Sequence, residues 1–490
     1  MSDLRWHELV EWAEAEPVGS PKPRRDRKVK ICTDTRAIAK GDVFWVLKGD
    51  RFDGHDFVEL AFEKGGVAAV VEKKWLTDGL LATQSPRQNP SGGSVDKTQD
   101  NFRPTRVYVP VEDVGQAFLK VASRHATRHR IPRVVVAGSN GKTTTKEMVA
   151  RVLGAKGPVL KTEGNFNNHV GVPMTLLRIG AAHKSAVIEL GTSSPGELAP
   201  LSRAAAPSIA VLTNIGHEHM EFFKTLEAVR DEELTVTAGL RTGGTLVMNA
   251  DDPYLQKVRT NARFSVLGFG LRRGQVRPAH LEFDEQGCGS FLIGRTRFSV
   301  PVPGVHNVYN ALAAISVGLD LGIPKGQIKD AIESFRAVDG RMNVLQANGI
   351  KVIDDCYNAN PPSVRSALQI LSSMAVIGRR VAVLGDMLEL GEASREMHQG
   401  IGRLVAELEL DQLWCLGARA KDIAASAKTA GMGKAKIRHF LDKSELEAQL
   451  LDTLAGGDTV LVKASHGLRL DTLVKRLVSA QTVIHPGEPA

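Results

Sequence analysis

The stretch Gly138-Ser139-Asn140-Gly141-Lys142-Thr143-Thr144-Thr145-Lys146 decides how the rest of this chain is read. Residues 133–137 before it are a short β-branched apolar run with the character of a buried parallel strand. Met148, Val149, Val152 and Leu153 after it fall at helical spacing. Strand, glycine turn, Lys-Thr and helix form the context of a phosphate-binding loop. Gly138 and Gly141 let the backbone turn its N–H groups inward, and the helix N-terminus adds partial positive charge, so the loop suits an anion. In that reading Gly138, Ser139, Asn140, Gly141 and Thr144 cradle the phosphates of ATP. Lys142 reaches the outer phosphates and the Thr143 hydroxyl holds Mg²⁺. Val136 stands where the general GxxxxGK[ST] pattern has its first glycine, so the loop departs from that pattern. The alternative is a plain glycine turn with a solvated lysine.

A chain of 490 residues has length for about two to four domains. Its 42% hydrophobic and 24% charged residues are ordinary for a globular protein. The net charge of +8 suits anionic substrates such as nucleotides. No long basic tract with interleaved aromatics appears, and the densest basic run, 24–30, reads as a solvated loop, which argues against nucleic acid. Cys32, Cys288, Cys356 and Cys415 are scattered without a CxxC pair, which points to a reducing compartment, the cytoplasm. The first 17 residues carry acids and no apolar core, unlike a signal peptide. No run approaches the ~20 apolar residues that cross a bilayer, so no membrane insertion is expected.

Outward from the loop, residues 131–338 alternate strand and helix. Strands are expected at 133–137, 158–161, 185–190, 208–212, 245–248 and 263–267, forming a parallel sheet with covered faces. Ligands on such sheets sit at the carboxyl ends of strands. The polar clusters fall there: the phosphate loop, residues 162–169 with Asn165, Asn167 and Asn168, then Glu189, then 213–219. Residues 1–130 hold expected strands at 29–33, 43–47 and 67–71, with polar turns at Asp34-Thr35-Arg36 and Lys48-Gly49 to His55. Those turns suit either a polar ligand or ordinary turn chemistry. Residues 83–104 are almost without apolar side chains and read as a mobile surface loop, and 112–129 as a helix. Residues 339–490 alternate again, with strands at 351–354, 380–384, 412–416, 436–440 and 459–463. They read as a smaller doubly wound domain.

Glu189 and His219, each just past a core strand, are the metal candidates for a cation that bridges ATP and a second substrate. Histidine is an unusual Mg²⁺ ligand, so Mn²⁺ also suits, and His217 competes for the role. The asparagines of 165–168 can serve phosphate and sugar oxygens, or form Asx-turns. Asn307 reads an adenine edge or caps a helix. Arg341 crosses to the phosphates or stays on the surface. Asp355, Asn358 and Asn360 form a hydrogen-bonding pocket for a small polar substrate. No Ser-His-Asp or Cys-His arrangement appears, which favours phosphoryl transfer over direct acyl hydrolysis.

FWVLKGDRFDGHDFV (44–58), GSNGKTTTK, TEGNFNNHVGVP (162–173), NIGHEHME (214–221), HNVYNALAA (306–314), GRM (340–342), DDCYNANPPS (354–363) and VLGDMLELGE (383–392) together resemble the Mur ligase family over nearly the whole chain. The resemblance implies a three-domain α/β fold. A small N-terminal UDP-binding domain spans 1–130, a central P-loop ATPase-type parallel sheet 131–338, and a C-terminal Rossmann-like, doubly wound domain 339–490. It implies an ATP-dependent amide ligase of the last cytoplasmic step of the peptidoglycan precursor pentapeptide. ATP phosphorylates the terminal carboxylate of UDP-N-acetylmuramoyl-tripeptide, and the amine of D-alanyl-D-alanine captures the acyl phosphate. The DCYNANP and GDMLELG strings point to a dipeptide acceptor. A diaminopimelate- or lysine-adding relative, or a catalytically weak nucleotide-gated binding protein, are the alternatives.

Carried over residue by residue, the resemblance assigns Lys142 and Thr143 to ATP and a first Mg²⁺, and Glu189 and His219 to a second. Asn307 and Arg341 bind adenine and phosphate from either side of the cleft. Asp34, Thr35 and Arg36 face the UDP sugar with Lys48, Gly49 and Asp53, while Asn165 and Asn168 serve the substrate. Asp355, Asn358 and Asn360 face the dipeptide. The family's carbamylated lysine, fourteen positions after the metal histidine, is Glu233 here. Glu233, or Glu232, is then expected to supply the anion without carbamylation. VKASHGLR stands near Lys463 where the family tends to have VKGSR. A monomer is expected, because the site needs one chain.

Overall fold

The computed structural model describes residues 3–49, 52–84 and 105–479. The expected mobile loop therefore lies mostly outside the described residues; its first two residues end a helix, Lys73–Gln84. The first sheet is parallel, in the order β1 (Ile31–Cys32), β2 (Val43–Trp45), β3 (Ala68–Glu72) and β4 (Tyr108–Val111). A two-residue ladder between Lys48–Gly49 and Phe52–Asp53 projects beside it. Helix α1 (Val114–Arg128) starts where the Asp113 carboxylate accepts the Gln116 N–H, an N-cap that meets an otherwise orphaned donor. It leads into the second sheet.

That sheet holds β5 (Arg133–Ala137), β6 (Val159–Lys161), β7 (Ser185–Glu189), β8 (Ile209–Leu212), β9 (Gly244–Asn249) and β10 (Phe264–Phe269). All pairs are parallel, in the order β10-β9-β8-β5-β7-β6. Strand β5 shows why a near-continuous apolar run is needed here. Val134 and Val136 enter the core shared with α2 (Lys142–Leu153) and α3 (Val305–Asp320). Val135 and Ala137 enter the opposite core, shared with the first sheet. Both faces are covered, and the strand's one polar side chain, Arg133, is buried but donates to the carbonyls of Ala126, His129, Ala205 and Ala206.

An antiparallel sheet of β11 (Ala279–Phe283), β12 (Cys288–Ile293) and β13 (Thr296–Pro303) precedes α3. Its strands alternate buried and exposed side chains, and its outer strand is largely exposed, so no long apolar run announces it.

The last sheet runs β14 (Asn343–Ala347), β15 (Ile350–Asp354), β19 (Thr459–Lys463), β16 (Arg380–Gly385), β17 (Gln412–Leu416) and β18 (Ile437–Phe440). The five expected strands pair in parallel, while β14 adds an antiparallel edge through a tight turn at Asn348-Gly349. Both residues of that turn take positive φ, the conformation of a primed hairpin turn. Helix α4 (Pro361–Ser373) follows β15, with prolines in its first turn and Asn360 as its cap.

Candidate functional site

Strand β5 lies between β7 and β8, so its carboxyl end opens into a crevice. The loop that leaves it needs two glycines for different neighbours. Gly138 has φ +114, and a Cβ there would fall 2.3 Å from Thr213 Oγ1. Gly141 has φ +82, and a Cβ there would fall 2.5 Å from Asn310 Oδ1. Ser139 Oγ donates to Gly216 O and accepts the Gly216 N–H, and Asn214 Oδ1 accepts the Asn140 N–H. Loop and β8 rim thus brace each other.

Lys142 Nζ bonds Gly138 O at 2.6 Å and Glu218 Oε2 at 3.2 Å. Burial opposes its charge, but Glu218, Glu233 and Glu189 more than offset that, so its pKa is raised. Glu233 is 1% exposed beneath the loop. Burial first, then Glu218, pushes its carboxyl well above the usual range, against Lys142 and the Gly138 N–H. Glu232, its alternative, turns away: its carboxylate accepts the Gly196 and Leu198 N–H groups.

Glu189 is buried at the end of β7. Asn167 Nδ2 donates to its Oε1 at 2.9 Å, and Lys146 Nζ stands 3.6 Å from its Oε2, which has no hydrogen-bond partner. His219 takes a left-handed backbone, φ +48, and its Nδ1 lies 2.6 Å from Glu389 Oε2 of the third domain. His217 lines the same cavity, its pKa lowered by burial. Among the described residues, no three His, Cys, Asp or Glu side chains form a group able to hold a metal by themselves.

A cavity of about 540 Å³ lies between the central and third domains. Into it come loop residues 139–145, Asn165, Asn168, Glu189, His219 and Asn307 from one side, and Arg341, Asp355, Asn358 and Asn360 from the other. Asn168 Oδ1 accepts the Val170 and Gly171 N–H groups, so it also forms the Asx-turn that was its alternative. Asn307 is not a cap: it lies inside α3, donates to Pro303 O and accepts from Asn310. Arg341 is not a plain surface residue. It stacks 4.0 Å over the Tyr357 ring and donates to Thr143 Oγ1 at 3.3 Å. Asp355 accepts from the buried Lys463 at 2.6 Å and from the Met342 N–H. Asn358 Oδ1 accepts the Ala359 N–H, and Asn358 O accepts from Lys463.

The first-domain candidates lie outside this cavity, on two separate segments. Arg36 chelates Asp34 through its guanidinium and N–H, holding that carboxyl down to about 2. Thr35 is buried beside them. On the projecting ladder, Lys48 bonds Glu72 at 2.6 Å and stands 3.9 Å from Asp53, with Gly49 at its turn. Asp53 also accepts from His55. Thr33 donates to Met174 Sδ at 3.8 Å, so the Asp34–Arg36 turn abuts the helix that follows Asn168.

Sequence reasoning gave no role to Lys146, Glu218 or Glu389. The second lysine of GKTTTK, one turn after Lys142, was the signal for Lys146. An acid between His217 and His219 was the signal for Glu218. Glu389 lies in the GDMLELG string already singled out, but only the tertiary fold brings it to His219.

Comparison with known proteins follows the same three parts. The chain matches the Mur ligase family catalytic domain over residues 29–125, the Mur ligase middle domain over 136–318, and the Mur ligase glutamate ligase domain over 340–466. It is similar to the UDP-N-acetylmuramoyl-tripeptide–D-alanyl-D-alanine ligase of Bacillus subtilis (strain 168), 33% identical over 92% of this chain and 93% of that one. The Escherichia coli (strain K12) ligase of the same name is 32% identical over 91% and 93%. In three dimensions it resembles MurF from Acinetobacter baumannii, with a TM-score of 0.82 and 28% identity over 96% and 98% of the chains. MurF from Thermotoga maritima in complex with ADP gives 0.75 and 28% over 91% and 96%. These matches span all three domains, and the chain belongs to the Mur ligase family.

Proposed function

We propose that the protein joins D-alanyl-D-alanine to UDP-N-acetylmuramoyl-tripeptide at the expense of ATP, through an acyl phosphate. The observation that carries this reading is the meeting of two loops in one cavity. The phosphate loop supplies Asn140 and Thr143, and the third domain supplies Asn360 and Arg341, which bond them. A carboxylate resists an amine because its leaving group is poor, and phosphorylation supplies a good one. The site must then hold charge on phosphoryl oxygens and keep water out.

The chain's own groups divide that work. The N–H groups of 138–144 and the amino end of α2 take the phosphates, and Lys142 turns from Gly138 O towards them. Asn307 and Arg341 flank the nucleotide. Asp355, Asn358 and Asn360, braced by Lys463, face the dipeptide. Asp34, Thr35, Arg36, Lys48, Gly49 and Asp53 hold the UDP end, and Asn165 and Asn168, which line the cavity, serve the same substrate. The rim fits a hard cation, because Glu189 Oε2 is buried with no hydrogen-bond partner and only the Lys146 ammonium, 3.6 Å away, opposite it. Thr143, Glu189 and His219 would hold Mg²⁺, or Mn²⁺, together with phosphate oxygens, the usual way such ions complete their shell. Bound there, the ion would neutralise developing phosphoryl charge. Glu233 adds a further acid beneath the loop, and a nearby cation would favour its ionised form.

One chain supplies every group named, so a monomer suffices. Four free cysteines suit a reducing cytoplasm. Among the described residues no helix is long and apolar enough to cross a membrane. The experiment is phosphate release from ATP and Mg²⁺ with UDP-tripeptide and a panel of amines. D-Alanyl-D-alanine should be the preferred acceptor. Preference for diaminopimelate or lysine, or no ADP at all, would sink the reading.

A further inference from the structure

A dipeptide amine is an ammonium at neutral pH, since an α-amino group has a pKa of roughly 8. To enter a closed cavity it needs an anionic partner, because an unpaired charge resists desolvation. Five carboxylates line this cavity: Glu189, Glu197, Glu218, Asp355 and Glu389. Four are already engaged by cations or N–H groups. Glu189 faces Lys146 and Asn167, Glu197 accepts from Ser193 and Ser194, Glu218 from Lys142, and Asp355 from Lys463 and Met342. Glu389 has only an imidazole opposite it among the described residues, His219 at 2.6 Å.

The fold pushes Glu389 to that place. Met387 and Leu390 are buried on either side of it. The Met387 N–H is held by His398 and the Leu388 N–H by Ser465 Oγ. Just past those anchors Glu389 takes φ +62, a left-handed conformation that disfavours a side-chain-bearing residue. Its carboxylate projects across the cleft and keeps about half its side-chain surface exposed, at 55%. Its contact, His219, follows Glu218, and Glu218 bonds Lys142 at 3.2 Å. A cation seated on Glu389 is thus joined to the lysine of the phosphate loop through His219, the peptide bond to Glu218, and the Glu218–Lys142 contact.

Resting on the function proposed above, we infer that Glu389 receives the ammonium of the incoming dipeptide and so holds the amine beside the carboxyl that ATP has activated. The neighbouring DCYNANP loop then meets the rest of the dipeptide, and Glu389 selects a charged amine as such.

The test separates a charged acceptor from a neutral one. Hydroxylamine, largely uncharged at neutral pH, attacks the acyl phosphate carbon through nitrogen. The C–O bond to phosphate breaks, phosphate leaves with the electron pair, the nitrogen proton passes to solvent, and a hydroxamate remains. Unsubstituted protein must first give hydroxamate that depends on UDP-tripeptide and ATP; if it gives none, the proposed function fails and not this inference. Glu389→Gln should then raise KM for D-alanyl-D-alanine by about ten- to a hundredfold, the range of a lost charged hydrogen bond. KM for ATP and for UDP-tripeptide in hydroxamate formation should hold, and Glu389→Asp should recover part of the loss. An unchanged dipeptide KM in Glu389→Gln overturns the inference. So does a parallel rise in all three KM values with loss of hydroxamate, which would mean that Glu389 acts only by holding His219.

Discussion

Asn360 donates its side-chain amide to Asn140 Oδ1 at 2.8 Å, while its own Oδ1 accepts the Ser363 N–H at 3.0 Å. One side chain both starts α4 and ties the third domain to the phosphate loop. Serine caps as well as asparagine but is too short to bridge. Asn360→Ser should therefore stay within about 0.5 kcal/mol of the parent in urea unfolding. Its kcat should fall about tenfold or more through loss of alignment. Equal losses in stability and turnover would contradict this division of roles.

Lys146 is 1% exposed and lies between Glu147 at 3.3 Å and Glu189 at 3.6 Å, donating also to Thr162 O. Removing one partner of a buried pair strands the other. Lys146→Met should cost about 3–5 kcal/mol in urea unfolding. Adding Glu189→Gln to it should recover part of that loss, since no stranded charge remains. A double variant no more stable than the single one would show that the pair is not coupled.

Glu233 should make ligand-free stability depend on pH. Its folded pKa is raised, by burial first and Glu218 second, so the fold binds a proton that the unfolded chain gives up. Stability is full below the ordinary carboxylate value of 4.5 and declines as pH rises from there towards the raised value. Glu233→Gln lacks this penalty. Its melting temperature should exceed the parent's at neutral pH, with the gap closing as pH falls to about 4.5. A constant gap across that window would show that Glu233 is ionised in the fold.

Lys142→Ala should cut ligation by about a hundred- to a thousandfold, the size of a lost electrostatic donor at a reacting centre. Chelating divalent cations should abolish ADP formation by the parent. Turnover at the parental rate in Lys142→Ala would remove the basis of the phosphate-loop reading. Glu233→Lys, assayed with and without bicarbonate, completes the set. Bicarbonate should stimulate the lysine variant and leave the parent unchanged, if an anion is all that position supplies.

The sequence was most legible where one physical demand dominates. Strands β5, β17 and β19 are buried throughout, or nearly so, and their apolar runs marked their full extent. The positive φ at Gly138 and Gly141 explains why glycines had to stand there. Legibility failed where neighbours arrive from afar. Strands β11 to β13 carry polar outer faces, and β14 is an edge strand with half-buried side chains. In the site, Glu389 and His219 are 170 positions apart in the chain. Asn307 shows a smaller miss. The helix start was legible, but the capping alternative was wrong: Asn307 stands two residues inside α3 and bonds Pro303 and Asn310.

The antiparallel sheet before α3 bears on how the cleft admits its ligands. The Ala375 N–H bonds Glu285 O, and Lys351 bonds Gln286, so the turn between β11 and β12 leans on the third domain. The chain crossing near 335–342 is a second point of attachment. A rigid lobe pinned at two points can turn only about the line that joins them. The third domain should therefore swing like a gate on two pins, and a bulky residue placed at the Glu285-Gln286 turn would change the angle of that swing without replacing any side chain that lines the cavity.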